Sequence, residues 1–353
     1  QRTTRDMIGP AESIPSISGI ASEDRAKVNN ATLRNRGWEL SVSWNDKLKC
    51  GFSYGVGFNV FNYKAVVTKY NNPEGIIYNN HTGLAANKGY YEGMDLGEIW
   101  GYCADDLFLS NREIDDYLRK VNLTAFKSND LWRRGDLKYI DTNGDGRVDG
   151  GKGTLSDHGD LQVIGNTTPK YSFGINLNLG YKGFEVSTLL QGVAKRDFPI
   201  AGSNYMFGGN NYNFKEHLDY FSTENPNGYL PRLTGWKDDK DFLVNTGYNT
   251  TRYLLNAAYM RMKNLTVAYT FNKKQLKHIG ISNLKVYVTC DNLFTITKLP
   301  KQFDPETLNQ VNMSAGGDAK NTAPGLTSPM KQNGNGMVYP MNRNFVFGLD
   351  FTF

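Results

Sequence analysis

The chain has 353 residues, with 40 Lys and Arg against 35 Asp and Glu for a net charge of +5. This mild excess is spread along the sequence rather than gathered into basic runs, which argues against nucleic acid as a partner. Mean hydropathy is −0.53, and no stretch approaches the roughly eighteen apolar residues of a transmembrane helix, whereas a membrane β-barrel, whose alternating strands average out as polar, stays open.

Aromatics make up 13% and glycines number 37, a mixture that suits all-β structure with aromatic belts and many turns. The first residues show no basic segment followed by an apolar run, so no signal peptide is read there. The chain is either mature or begins elsewhere. "RTTRDMI" (2–8) reads as the tail of an earlier strand.

Two-residue alternation then recurs along the chain. Trp38, Leu40, Val42 and Trp44 face away from Glu39, Ser41 and Ser43. Phe52, Tyr54, Val56, Phe58 and Val60 oppose Ser53, Gly55, Gly57 and Asn59. A short polar helix is predicted over 111–122. Tyr171, Phe173, Ile175, Leu177, Leu179 and Tyr181 oppose Ser172, Gly174, Asn176, Asn178 and Gly180. Phe184, Val186, Thr188 and Leu190 oppose Glu185, Ser187, Leu189 and Gln191. Leu265, Val267, Tyr269 and Phe271 oppose Thr266, Ala268 and Thr270. Leu284, Val286, Val288 and Cys290 oppose Lys285, Tyr287, Thr289 and Asp291. Phe345, Phe347, Leu349, Phe351 and Phe353 oppose Asn344, Val346, Gly348, Asp350 and Thr352.

Connections alternate as well. Short or moderate ones follow Trp44, Tyr181 and Phe271, while 64–169, 193–251 and 296–341 are long. Loops this long are uncommon in a compact soluble domain and expected at one end of a membrane barrel. With the short turns placed in the periplasm, every long loop lies outside and the carboxyl terminus is periplasmic. The apolar rows would face lipid and the polar rows a wet lumen, and backbone pairing in lipid requires closure. A secreted antiparallel β-sandwich, with a ligand-binding or adhesin role, shows the same alternation. Seven strands are an odd number for a bacterial barrel and leave bare edges, so the chain reads as the carboxyl-terminal part of a larger one, its plug not included.

"YIDTNGDGRVDGG" sets Asp141, Asn143, Asp145, the Arg147 carbonyl and Asp149 at the alternate positions of a calcium loop, with Gly146 at the sharp turn. Lys152 stands where a bidentate Glu is expected, so Asp157 or Asp160 would complete a structural Ca2+ site. The alternative is a loop of Asx turns without an ion. Loop aromatics Tyr205, Phe207, Trp236 and Tyr248 are candidate ligand contacts, or else packing residues. The four histidines and three cysteines fit no catalytic, metal or redox spacing, so no enzyme is read.

Six blocks in order, "GEIWGYCADDLF" (97–108), "GDLKYIDTNGDGRVDG" (135–150), "VIGNTTPKYSFGINLNLGYKGFEVSTLLQGV" (163–193), "YMRMKNLTVAYTF" (259–271), "GISNLKVYVTCDNLFTITK" (280–298) and "YPMNRNFVFGLDFTF" (339–353), with "TLRNRGWELSVSW" (32–44) upstream, resemble the carboxyl-terminal part of SusC/RagA-type TonB-dependent outer-membrane transporters of Bacteroidetes. The resemblance implies a 22-stranded barrel in the outer-membrane lipid, with a plug and TonB box that precede this region. It also implies a SusD-like surface lipoprotein as lid, and import of oligosaccharides or peptides powered through the TonB complex. The "GGKGTLSDHGD" segment around Lys152 departs from the family pattern and leaves the last metal ligands open.

Overall fold

The computed structural model describes residues 1–10, 27–77, 90–201, 206, 215–234, 240–276, 280–308 and 339–352. In chain order the strands are β1 (Arg2–Pro10), β2 (Lys27–Lys47), β3 (Ser53–Lys69), β4 (Glu98–Gly101), β5 (Ala104–Leu107), β6 (Leu137–Tyr139), β7 (Gln162–Asn166), β8 (Lys170–Tyr181), β9 (Phe184–Lys195), β10 (Asp197–Pro199), β11 (Leu254–Asn256), β12 (Tyr259–Thr270), β13 (Asn283–Asp291), β14 (Thr295–Thr297) and β15 (Asn344–Thr352). Helix α1 covers Asn111–Leu118. It is shorter than the sequence suggested, and its first turn is capped by the Ser110 hydroxyl, which accepts from the Glu113 amide.

The long strands form one antiparallel sheet in the order β1-β2-β3-β8-β9-β12-β13-β15, with β14 attached to β12. Each long strand pairs with the next in sequence, the pattern of an up-and-down meander. "RTTRDMI" does form a strand, β1, paired antiparallel with β2. The wall therefore has eight strands in its main order where the alternation alone gave seven. Among the described residues β1 and β15 each pair on one side only.

Registry turns the separate alternations into two continuous faces. On one face Trp44 pairs with Val56, Val56 with Leu177, Val186 with Leu179, Val267 with Val186, Val288 with Val267 and Phe347 with Val288. On the other, Asn45 pairs with Gly55, Gly55 with Asn178, Asn178 with Ser187, Ser187 with Thr266, Thr266 with Thr289 and Thr289 with Val346. A one-residue slip in any pair would exchange the faces, so the register is strongly specified. Two-residue closure between β8 and β9 is achieved by Lys182 and Gly183, both left-handed at φ 47° and 91°. That is the backbone a type I′ hairpin turn requires.

The apolar face is bare. Trp44 is 64% exposed, Leu349 67% and Phe347 78%. Among the described residues no second sheet covers it, whereas a sandwich would bury this row. The strongest burial lies elsewhere. Tyr102, Phe108, Leu123, Phe126, Trp132, Leu137, Tyr139, Phe198, Val244 and Tyr253 form one core drawn from the long connections. Those connections hold three small two-stranded sheets, β4–β7, β5–β6 and β10–β11. Long segments that read as loops are thus a packed body at one end of the wall.

This body also explains why β2 and β3 run further than their alternation. Beyond Trp38 the pairing continues through Arg36 with Lys64 to Thr32 with Lys69. There the inner side carries Ala65 and Val67, both buried, with Leu33 packed against the core. Packing under the cap replaces the polar inner row, so the two-residue signal fades although the strands do not.

Candidate functional site

The polar face is built from short side chains. Gly55, Gly57 and Gly174 stand opposite Asn45, Ser43 and Asn59. A Cβ on Gly55 would meet Asn45 Oδ1 at 2.2 Å and one on Gly174 would meet Asn59 Oδ1 at 2.5 Å. Small residues therefore let amides of neighbouring strands lie flat against the wall. Toward the short-turn end this face lines an open groove of about 720 Å3 that includes Asn45, Asn178, Ser187 and Thr266. Lys285 crosses it to Glu185 at 2.6 Å. The groove offers neutral donors and acceptors from Asn45, Ser53, Asn178, Ser187 and Thr266 beside four charged side chains, Asp46, Lys47, Glu185 and Lys285.

The cap at the other end is held by two buried ionic clusters. In the first, Lys127 and Asp136 have fully buried side chains and meet at 2.7 Å, while Lys127 also reaches Asp241 at 2.6 Å. Arg232 bonds Asp136 at 2.6 Å and also pairs with Asp241. Asn245 donates to Asp136 at 2.9 Å and accepts the Leu137 amide at 2.8 Å. Burial would raise the Asp241 pKa, but its hydrogen bonds to Lys127 and Arg232 hold it below the ordinary carboxylate value. Burial would lower Arg232, and the facing Asp136 and Asp241 push it up instead. The cluster staples the connection after β3 to the connection after β9. Each member is paired, as buried charge requires.

The second cluster ties the cap to the wall. Arg261 on β12 bonds Asp304 at 2.7 Å and Glu306 at 3.1 Å, and Lys263 reaches Glu306 at 2.9 Å. The Met341 amide donates to Asp304 at 3.0 Å. Burial would raise the Asp304 pKa, and the hydrogen bond from Arg261 holds it down.

The acidic glycine loop is closed by backbone amides. Asp141 accepts from Gly144 at 2.7 Å and Gly146 at 2.8 Å. Asn143 accepts from Asp145 at 2.9 Å, Asp145 from Arg147 at 3.0 Å, and Asp149 from Gly151 at 2.8 Å. Buried Asp160 accepts from Thr142 at 2.7 Å and Asp149 at 3.0 Å. The Arg147 guanidinium lies between Asp145 at 3.3 Å and Asp149 at 3.1 Å. Among the described residues no three His, Cys, Asp or Glu side chains converge as a metal cage. Asp141, Asn143, Asp145, Arg147, Asp149 and Asp160 are thus brought together in one loop, with their oxygens directed at amides and at Arg147.

Of the loop aromatics, Tyr248 is half-buried and packs edge-on against Tyr102 at 5.8 Å and Phe126 at 5.5 Å. Its ring is part of the cap core rather than a free stacking surface. Tyr205, Phe207 and Trp236 lie outside the described residues. The ionic clusters were not visible in the sequence. Asp136 and Asn245 are 109 residues apart and Arg261 and Asp304 43, and no local pattern links such pairs.

No protein-family model matches the chain. TonB-dependent receptor P3 of Formosa agariphila is 25% identical over 99% of this chain and 31% of its own length. TonB-dependent receptor P26 of the same organism is 25% identical over 96% and 31%, and P39 is 24% identical over 100% and 33%. The chain thus spans about a third of the length of these curated relatives. Among solved structures, the RagAB peptide transporter superposes with a TM-score of 0.61 at 20% identity, covering 99% of this chain and 32% of that one. The RagAB peptide importer in its "open-open" state gives 0.61 at 18%. These structural likenesses establish the antiparallel barrel-type fold.

Proposed function

We propose, from the premise that this chain is part of a SusC/RagA-type TonB-dependent outer-membrane receptor, that it supplies wall and outer cap to a conduit importing oligomeric nutrients. The carrying observation is one meander with an exposed apolar face, an opposite face of Asn, Ser, Thr and Gly, and connections from one end condensed into a stapled cap. Exposed Trp, Phe, Leu and Val are stable against lipid, and an amide-rich interior exchanges hydrogen bonds with a passing sugar or peptide. In this arrangement the short turns and the carboxyl end face the periplasm and the cap faces outward. A SusD-like lipoprotein closes on the cap, and the TonB complex drives opening through segments beyond those described here. The chain's own chemistry is binding and conduction, with no bond broken.

Peptide cargo is the first choice between the two substrate classes, because the structural relatives are named peptide transporters. The test is growth of a strain lacking the complete receptor, on protein hydrolysate or on single polysaccharides as the limiting nutrient. A defect on hydrolysate that is restored by the intact gene is expected. Normal growth on every source removes the import proposal, and a defect confined to one polysaccharide replaces peptide by glycan.

A structural Ca2+ in the Asp141 loop is a second proposal. It is supported by oxygen donors at alternate positions and by Gly146 at φ 83°. An ion there would have to displace the Arg147 guanidinium from Asp145 and Asp149. Calorimetric titration with Ca2+ should give a signal that Asp145→Ala abolishes and Arg147→Ala strengthens. An unchanged signal in Asp145→Ala removes the ion.

A further inference from the structure

The outward face changes character abruptly at one level. Below it lie Trp38, Leu40, Val42 and Trp44, and Trp38 sits 6.5 Å from Tyr171, ring centre to ring centre. Above it, on the same side of β2 and β3, registry places Arg36 directly opposite Lys64 and Arg34 opposite Val66. Thr3 pairs with Arg34 on the β1 side. Three cations, Arg34, Arg36 and Lys64, thus share one outward patch on two adjacent strands. Arg36 begins two residues beyond Trp38, about 7 Å along the strand, and Arg34 about 13 Å.

Like charges directly opposite on a sheet repel. The patch carries little to offset this. Asp95 lies 4.0 Å from Lys64 and is shared with Lys170 at 3.6 Å. Arg36 donates to the Gln1 side-chain oxygen at 2.6 Å. Among the described residues neither Arg34 nor Arg36 pairs with a carboxylate. Asp6 sits in the β1 bulge at φ 54°, where the register breaks, and Glu39 points to the inner face opposite Phe61.

We propose that Arg34, Arg36 and Lys64 bind the phosphorylated headgroup of a lipid in the outward-facing leaflet, with its acyl chains lying along Leu40 and Val42 below the Trp38–Tyr171 pair. The aromatic pair marks the boundary between hydrocarbon and headgroup, where Trp and Tyr rings settle. Guanidinium groups placed just past that boundary stand at the depth of lipid phosphates and match them bidentately. Basic clusters flanking a membrane-spanning wall are readable as anionic-lipid sites on this ground. The proposal rests on the membrane-wall reading of the apolar face. It goes further by giving one patch of the wall a specific ligand.

The experiment uses the complete receptor that carries this chain, purified in detergent and tested by native mass spectrometry. The probes are lipid A bearing two phosphates, the same lipid after phosphatase treatment, phosphatidylcholine and inorganic phosphate. The parent protein should retain the diphosphorylated lipid in preference to the other two. The triple variant Arg34→Gln, Arg36→Gln, Lys64→Gln should bind it about a hundredfold more weakly, with phosphatidylcholine unchanged. Arg36→Gln alone gives a partial loss if the triple variant does not fold, as judged by heat-modifiable gel mobility, and Arg34→Lys with Arg36→Lys should retain most of the affinity. Equal lipid retention in parent and triple variant overturns the proposal. So does displacement by millimolar inorganic phosphate without lipid preference, which would mark a free-anion site. Loss of a co-purifying protein with lipid binding intact also overturns it, in favour of a protein contact. A receptor that stays soluble without detergent would defeat the wall itself, an outcome separable from failure of this site alone.

Discussion

Val42 and Ser43 are adjacent on β2 and face opposite ways, so one charge placed at each position reports the solvent on each side. Val42 is 56% exposed and pairs with Phe58, while Ser43 pairs with Gly57. Val42 lies about 13 Å along the strand from Trp38 and about 7 Å from Trp44, inside the apolar band. Were that face in water, Val42→Arg would change stability by no more than about 0.5 kcal/mol, the usual range for exposed positions. Against hydrocarbon the same change costs about 2–4 kcal/mol near the midplane, less toward the interfaces. Ser43→Arg lies on the polar face opposite Gly57 and should stay within about 1 kcal/mol if that face meets water. The assay is guanidinium unfolding of the complete receptor in lipid vesicles, followed by tryptophan fluorescence. Equal costs at the two positions, or a neutral Val42→Arg, would refute the assignment of faces.

Other expectations follow from the cap and the last strand. Lys127→Met leaves Asp136 buried with one cation fewer, and breaking such a pair costs about 3–5 kcal/mol. Hydrogen exchange of the Leu137 and Tyr139 amides should accelerate by about a hundredfold or more, and unchanged protection would show that the staple does not hold the cap. Asp241 has a lowered folded pKa, so its contribution is present above the ordinary carboxylate range and is lost as pH falls below about 4. Acid should therefore loosen the cap while the wall keeps its strand signal in circular dichroism, and simultaneous loss of both would contradict separate stabilisation. Gly348 lies under the Tyr287 ring, where an added Cβ would stand 2.1 Å from the ring. Gly348→Val should displace that ring and cost about 1–3 kcal/mol in vesicle unfolding, with Tyr287→Ala restoring most of the loss. Failure of that restoration would rule out the steric cause.

What the sequence carried unaided was local and periodic. Side-chain alternation has a period of two whatever the partner strand, so Trp38–Trp44, Tyr171–Tyr181 and Phe345–Phe351 announced two-faced strands before any pairing was visible. Turn chemistry at Lys182–Gly183 is equally local. The order of the blocks was likewise visible in the sequence alone, and it carried the resemblance to SusC/RagA-type receptors.

Tertiary structure alone decided the rest. The upper halves of β2 and β3 lost their alternation because Ala65 and Val67 pack under the cap. Tyr248 joined the cap core because Tyr102 and Phe126, far away in sequence, meet its ring. Lys127, Asp136, Arg232 and Asp241 became a staple because burial makes pairing obligatory, and partners a hundred residues apart leave no mark in a local window. Periodicity fixes which way a side chain points. Only the assembled chain determines what it then meets.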